Sequence, residues 1–154
     1  MRILKSLIIT LFFFSKTISA DGDLTKQKPT TVEVIFQSGS GNNYYYEPSE
    51  LTFETGKLYR LKLINKTGVK HYFTSNSFSD SIFTRKIEVH SKNKKIAEIK
   101  GLIREVEVFP YEKIEWWFVP IKTGVFDDLY CKILNKKNNL THKDMGMVGR
   151  IIVK

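Results

Sequence analysis

The chain has 154 residues, a formal net charge of +9, 42% hydrophobic residues and a single cysteine, Cys131. That is enough chain and apolar content for one domain with a real core, and one cysteine leaves no intramolecular disulfide framework. The basic balance is compatible with an acidic partner or an anionic membrane face, but there is no arginine–aromatic interleaving and no nucleic-acid motif, so nucleic acid is not an expected partner.

Residues 1–20 read as a secretory leader. Arg2 and Lys5 make a positive start, an apolar run follows, and Ile18-Ser19-Ala20 offers a small-residue cleavage site. The run is short for a bilayer span. No later stretch is apolar enough to span, so residues 21–154 are expected as one exported domain, periplasmic or secreted and monomeric, with no transmembrane segment once the leader is removed.

The remainder reads as β-rich. Residues 32–36 and 51–54 are strand candidates. Residues 58–64 alternate, with Leu61 and Leu63 on one face and Arg60 and Lys62 on the other. A turn at 65–68 leads into a strand over 70–73. Residues 75–83 predict a short helix capped by Ser75 or Ser77, with Phe78, Ile82 and Phe83 on one face. Strands are expected at 85–90, 103–109, 114–119, 125–131 and 148–153. Between them, residues 91–95, 110–113 and 122–124 read as turns. Trp116 and Trp117 alternate across a strand, one toward the core and one away. Roughly seven or eight short strands with regular turn signals predict an all-β sandwich. There is no internal repeat or linker.

The chemistry concentrates near the C-terminus. Cys131 ends an apolar run, and His142 and Met147 follow in the next loop. A thiolate, an imidazole and a thioether from one loop are three of the four donors of a mononuclear blue-copper site, which takes a Cys and two His in a plane plus a weak axial Met. His71, one turn beyond the strand at 58–64, is placed to supply the fourth. Gly146 and Gly149 permit tight turns beside Met147. Met145 competes for the axial role, although the spacing from His142 and the flanking glycines favour Met147. His90, beside a lysine-rich turn, reads as an ordinary surface or hydrogen-bonded histidine. Lys132, Lys136, Lys137 and Lys143 surround the ligand loop, either as a docking patch for an acidic partner or as a solvated face.

Residues 123–131, TGVFDDLYC, and 142–153, HKDMGMVGRIIV, resemble the cupredoxin family, the small blue copper proteins of plastocyanin and azurin type. Residues 70–87, KHYFTSNSFSDSIFTRKI, resemble exported bacterial members, in which a ligand histidine is followed by an aromatic residue and a short helix. Residues 115–124, EWWFVPIKTG, match the strand and turn before the cysteine. The likeness spans about residues 32–153. It implies a Greek-key β-sandwich with one short helix after the first ligand histidine, and one copper ion, cycling between Cu(I) and Cu(II), bound by His71, Cys131, His142 and Met147. It departs from the family in the stretch between Cys131 and His142, which is longer here, polar and turn-forming, and expected to bulge away from the strands. Two triplets, at residues 65–67 and 139–141, fit the N-glycosylation pattern, which a likeness to bacterial proteins discounts.

The expected function is single-electron transfer between redox partner proteins, docking with an acidic surface of the partner. Cys131 gives the covalent path, and His142 the exit to solvent. The alternative is a copper-handling protein that passes the metal on without redox cycling. Catalysis is not expected, since there are no paired carboxylates in a recognisable motif and no Ser/His/Asp arrangement.

Overall fold

The computed structural model describes residues 23–92 and 94–154. The leader expected at residues 1–20 lies outside the described residues. No helix among those described is long and apolar enough to cross a membrane.

The elements, in chain order, are β1 (Thr30–Ser38), β2 (Tyr44–Glu47), β3 (Glu50–Phe53), β4 (Tyr59–Asn65), β5 (His71–Thr74), α1 (Asn76–Ser79), β6 (Ile82–Ser91), β7 (Lys94–Ile99) and β8 (Glu105–Val108). Then come β9 (Lys113–Pro120), β10 (Gly124–Tyr130), a miniature hairpin of β11 (Leu134–Asn135) and β12 (Leu140–Thr141), and β13 (Val148–Val153). They form a Greek-key sandwich. One sheet runs β2-β1-β4-β9-β6-β7 and the other β3-β13-β10-β5-β8. β1 pairs with β4 and β3 with β13 in parallel, and the remaining pairs are antiparallel.

Alternation decides which side chains meet between the sheets. In β4, Tyr59, Leu61 and Leu63 are buried while Arg60 and Lys62 face outward. Arg60 and Lys62 reach Thr31 and Glu33 on the neighbouring strand. Trp116 and Phe118 of β9 enter the core beside Phe53, Phe73, Phe78 and Phe126, with ring centroids 5–6.5 Å apart and mostly edge-to-face. That packing adds specific geometry to the burial of large rings. Trp117 points to the other face, as its alternation predicts. It is only 7% exposed there, since the ammonium of Lys86 lies 4.6 Å from its ring and the guanidinium of Arg60 6.0 Å.

Three local expectations are corrected. The predicted helix over 75–83 is one turn, with Ser75 at its N-cap position. β6 already begins at Ile82, so Ile82 is buried and Phe83 faces solvent, 54% exposed, because strand alternation replaces helical periodicity. The polar stretch after Ser91 is only a tight turn, and β7 begins at Lys94 as a fully exposed edge strand. Its charges mark a solvated edge, where lysine discourages further pairing.

β10 carries the feature that aims the cysteine. Phe126 faces Ile151 and Leu129 faces Gly149, so one extra residue stands on β10 between them. A bulge of this kind reverses the alternation. Phe126 points inward before it, and Leu129 and Cys131 point inward after it. The residues at the bulge are used. Asp128 accepts hydrogen bonds from the Ser75 hydroxyl at 2.6 Å and from the Ser77 amide at 2.9 Å, fixing the start of α1, and Asp127 pairs with Arg150.

Candidate metal centre

His71 opens β5, Cys131 follows β10, and His142 stands in the loop before β13, so both sheet-two strands and the loop converge at one end of the sandwich. The structure brings their donor atoms together. The two Nδ1 atoms of His71 and His142 are 3.0 Å apart, and Cys131 Sγ lies 3.5 Å from His142 Nδ1 and 3.8 Å from His71 Nδ1. The cluster is buried. His71 and Cys131 are 0% exposed and His142 3%.

The geometry of the triangle tests whether a metal fits. An ion about 2.0 Å from nitrogen and about 2.3 Å from sulfur needs edges of roughly 3.5–3.7 Å in a trigonal plane. The observed edges bracket that range, the nitrogen pair being the shorter. The cluster can therefore hold one metal ion.

Each donor is held by other groups. Past the Tyr130–Thr74 pair, β10 leaves the ladder with β5. The Tyr72 amide donates to Cys131 Sγ at 3.2 Å. Burial pushes the Cys131 thiol pKa up, while the amides of Tyr72 and Ile133 favour the thiolate. His71 Nε2 lies 2.8 Å from Thr67 Oγ1, whose own proton faces Asn65 Oδ1 at 2.9 Å and the Val69 carbonyl at 3.0 Å. Thr67 thus accepts from Nε2–H, which leaves the Nδ1 lone pair of His71 aimed at the centre. Asn65 is itself pinned, its amide donating to the carbonyls of Val69, Val108 and Phe109. Burial, and secondarily the neighbouring imidazole, lowers the His71 pKa from 6.5 to about 3, and burial lowers that of His142. Both rings are neutral near pH 7, as metal ligands must be.

The loop from Cys131 to Met147 is tied together by main-chain hydrogen bonds. The His142 amide donates to Ile133 O, Lys143 to Cys131 O, Met147 to His142 O and Cys131 to Met147 O. Met147 is 0% exposed and packs in the same buried cluster as Cys131. Met145 is occupied differently, since its sulfur faces the side-chain amides of Asn135 and Asn138 at 3.8 and 3.7 Å. The long stretch after Cys131 is structured. β11 pairs with β12, and Asp144 caps the following turn through the Thr141 amide and hydroxyl.

Glycine roles divide. Gly146 adopts φ +101 and makes the turn that the sequence predicts. Gly149 makes no turn. It sits in β13 where a Cβ would come 2.6 Å from Ser49 O and 2.8 Å from Leu129. Its role is close approach of two strands.

Sequence reasoning missed three contributors. Asn65 and Thr67 read as a turn and a glycosylation triplet, but Asn65 is 2% exposed and orients His71 through Thr67. Tyr44 is the third; its ring lies 4.8 Å from that of His71 and 4.3 Å from that of His142. No local signal marks Tyr44, because its role arises only when β2 meets β5. His90 stays outside the cluster; its side chain is only 16% exposed, with Nε2 3.7 Å from Glu88 and Nδ1 without a hydrogen-bond partner, so it is neither the surface nor the hydrogen-bonded histidine expected.

No protein-family model matches the chain, and no curated protein matches it either. Solved structures share its fold. A multicopper oxidase from Campylobacter jejuni, described as a metallo-oxidase, superposes with a TM-score of 0.58 at 19% identity, covering 83% of this chain and 31% of its own. A multi-copper oxidase from Pediococcus acidilactici gives 0.57 at 15% identity, covering 99% of this chain and 31% of its own. A copper-containing nitrite reductase from Thermus scotoductus SA-01 gives 0.56 at 11% identity, covering 84% and 34%. The chain therefore has a cupredoxin-like fold, and it spans about a third of the length of these structures.

Proposed function

We propose that this chain is an exported copper protein that carries single electrons between redox partners. The observation that carries the reading is the buried triangle of His71 Nδ1, His142 Nδ1 and Cys131 Sγ at one end of a cupredoxin-like sandwich. A thiolate and two imidazoles with a thioether nearby suit copper in both oxidation states. Zinc sites complete a tetrahedron with further thiolate, imidazole or carboxylate donors, and the cluster contains no other such group among the described residues. Bound there, copper would supply one-electron chemistry.

The chain's own residues would do the rest. Thr67 and the Tyr72 amide hold His71 and Cys131 in place, so little reorganisation accompanies a change of charge. Met147 would supply the fourth, weaker donor in this proposal. Its main chain is tied to both Cys131 and His142, and Met145 is already engaged by Asn135 and Asn138. Met147 and the hydrophobic shell then tune the potential. His142, the one ligand with any exposure, is the exit for the electron.

The alternative of metal handover is disfavoured by burial. Ligand exchange needs an incoming donor to reach the ion, and His71, Cys131 and Met147 are all 0% exposed. Voltammetry of the copper-loaded protein separates the two readings. Electron carriage predicts a reversible one-electron wave with the metal retained over many cycles. Loss of copper to a chelator within the time of one cycle would contradict it.

A further inference from the structure

The β11–β12 hairpin does more than bridge two ligands. With Val69 and Tyr44 it walls a cavity of about 380 Å³, and His142 is part of its lining. Such a volume lies in the range that encloses a small ligand or an inserted side chain. Val69, Ile133 and Leu134 give its lining an apolar part, and no acidic side chain lines it.

The charges around it are unequal. Lys70 is neutralised by Glu107 at 2.5 Å, and Lys132 by Glu105 at 2.6 Å. Lys136 and Lys137 on the hairpin line the cavity and make no ion pair among the described residues. Both are exposed. The cleft therefore combines two exposed, unpaired lysines with the rings of Tyr44 and His142.

We propose that the hairpin is a partner-selecting element, and that the cleft receives a protruding acidic segment of a protein redox partner. This rests on the electron-transfer reading above and deepens it. A flat partner surface would stop at the hairpin rim, leaving His142, 3% exposed, out of contact. A protruding carboxylate-bearing side chain satisfies Lys136 and Lys137 and brings its backbone against the His142 edge. The lysines steer the approach, and the walls set the register.

The test is an NMR titration at low ionic strength of the full chain, both metal-free and loaded with diamagnetic Cu(I). The probes are tetraglutamate, tetraglutamine and the inert anion hexacyanocobaltate(III). Tetraglutamate should shift the Lys136, Lys137 and Tyr44 amides and the His142 ring, while tetraglutamine should not. Lys136→Gln with Lys137→Gln should weaken that binding by about an order of magnitude, as expected for loss of two attractive charges. Lys122→Gln, at the other end of β10, should leave it unchanged. Absence of shifts with tetraglutamate, or shifts spread evenly over surface lysines, would overturn the proposal. So would binding of hexacyanocobaltate(III) without the peptide, which would mark a small-anion site. Because the metal-free protein is included, failure of the cleft is distinguishable from failure to bind copper.

Discussion

His71 and His142 stand seventy-one residues apart in sequence, and their Nδ1 atoms meet at 3.0 Å with no room for a proton on each. Two protons, or two lone pairs, aimed at one another would repel, so the pair is stable only with one shared proton or a metal cation between them. The Thr67 hydroxyl settles the tautomer of His71 by accepting from Nε2–H, and the loop holds His142 through its own main chain.

The metal-free protein should lose stability on mild acidification. His71 is neutral when folded, with its pKa lowered to about 3, whereas the unfolded chain takes up a proton near 6.5. The unfolded state therefore binds more protons below pH 6.5. The contribution is fully present above that pH and is lost progressively between about 6.5 and 3, at up to roughly 1.4 kcal/mol per pH unit. Chemical denaturation across pH 4.5–7.5 checks it. His71→Phe should flatten the slope by about one proton, and copper should move the decline to lower pH by displacing the proton.

Thr67→Val should weaken copper binding about 10–100-fold, as expected when the group orienting a ligand histidine is lost. Stability should fall by about 1–3 kcal/mol, because Nε2–H is left buried without an acceptor. Thr67→Ser should restore both. Chelator competition and thermal melts read the two effects separately.

Met147→Leu should raise the reduction potential, since removing a fourth donor penalises Cu(II) more than Cu(I). Met145→Leu should leave the potential nearly unchanged and only loosen the hairpin held by Asn135 and Asn138. Equal shifts for both variants would mean that the axial assignment is wrong.

Gly149→Ala should destabilise the fold by about 1–3 kcal/mol through overpacking. Its Cβ would press on the Ser49 carbonyl, a main-chain atom that cannot swing aside. Unfolding midpoints in denaturant measure this directly.

What the sequence showed and hid follows from where each signal resides. Residues 58–64 were readable because Leu61 and Leu63 alternate with charges, and β4 buries that face. Cys131, His142 and His71 stood out by chemistry, and they converge. β7 was hidden because an exposed edge strand needs no apolar face, so its lysines looked like a turn. Phe83 was misplaced because the segment changes from helix to strand at Ile82. The bulge between Phe126 and Leu129 left no mark, yet without it a simple alternation would turn Cys131 outward. Asn65 and Thr67 were invisible for another reason, as their partners lie on β5 and β8 and exist only after folding.

The most direct measurement is the visible absorption spectrum of the reduced chain titrated with Cu(II), alongside Cys131→Ser. An intense thiolate-to-copper band that saturates at one equivalent, bleaches reversibly with ascorbate and is absent in the variant is the predicted result. A colourless wild-type protein, or a band that survives loss of Cys131, would contradict the copper centre built from His71, Cys131 and His142.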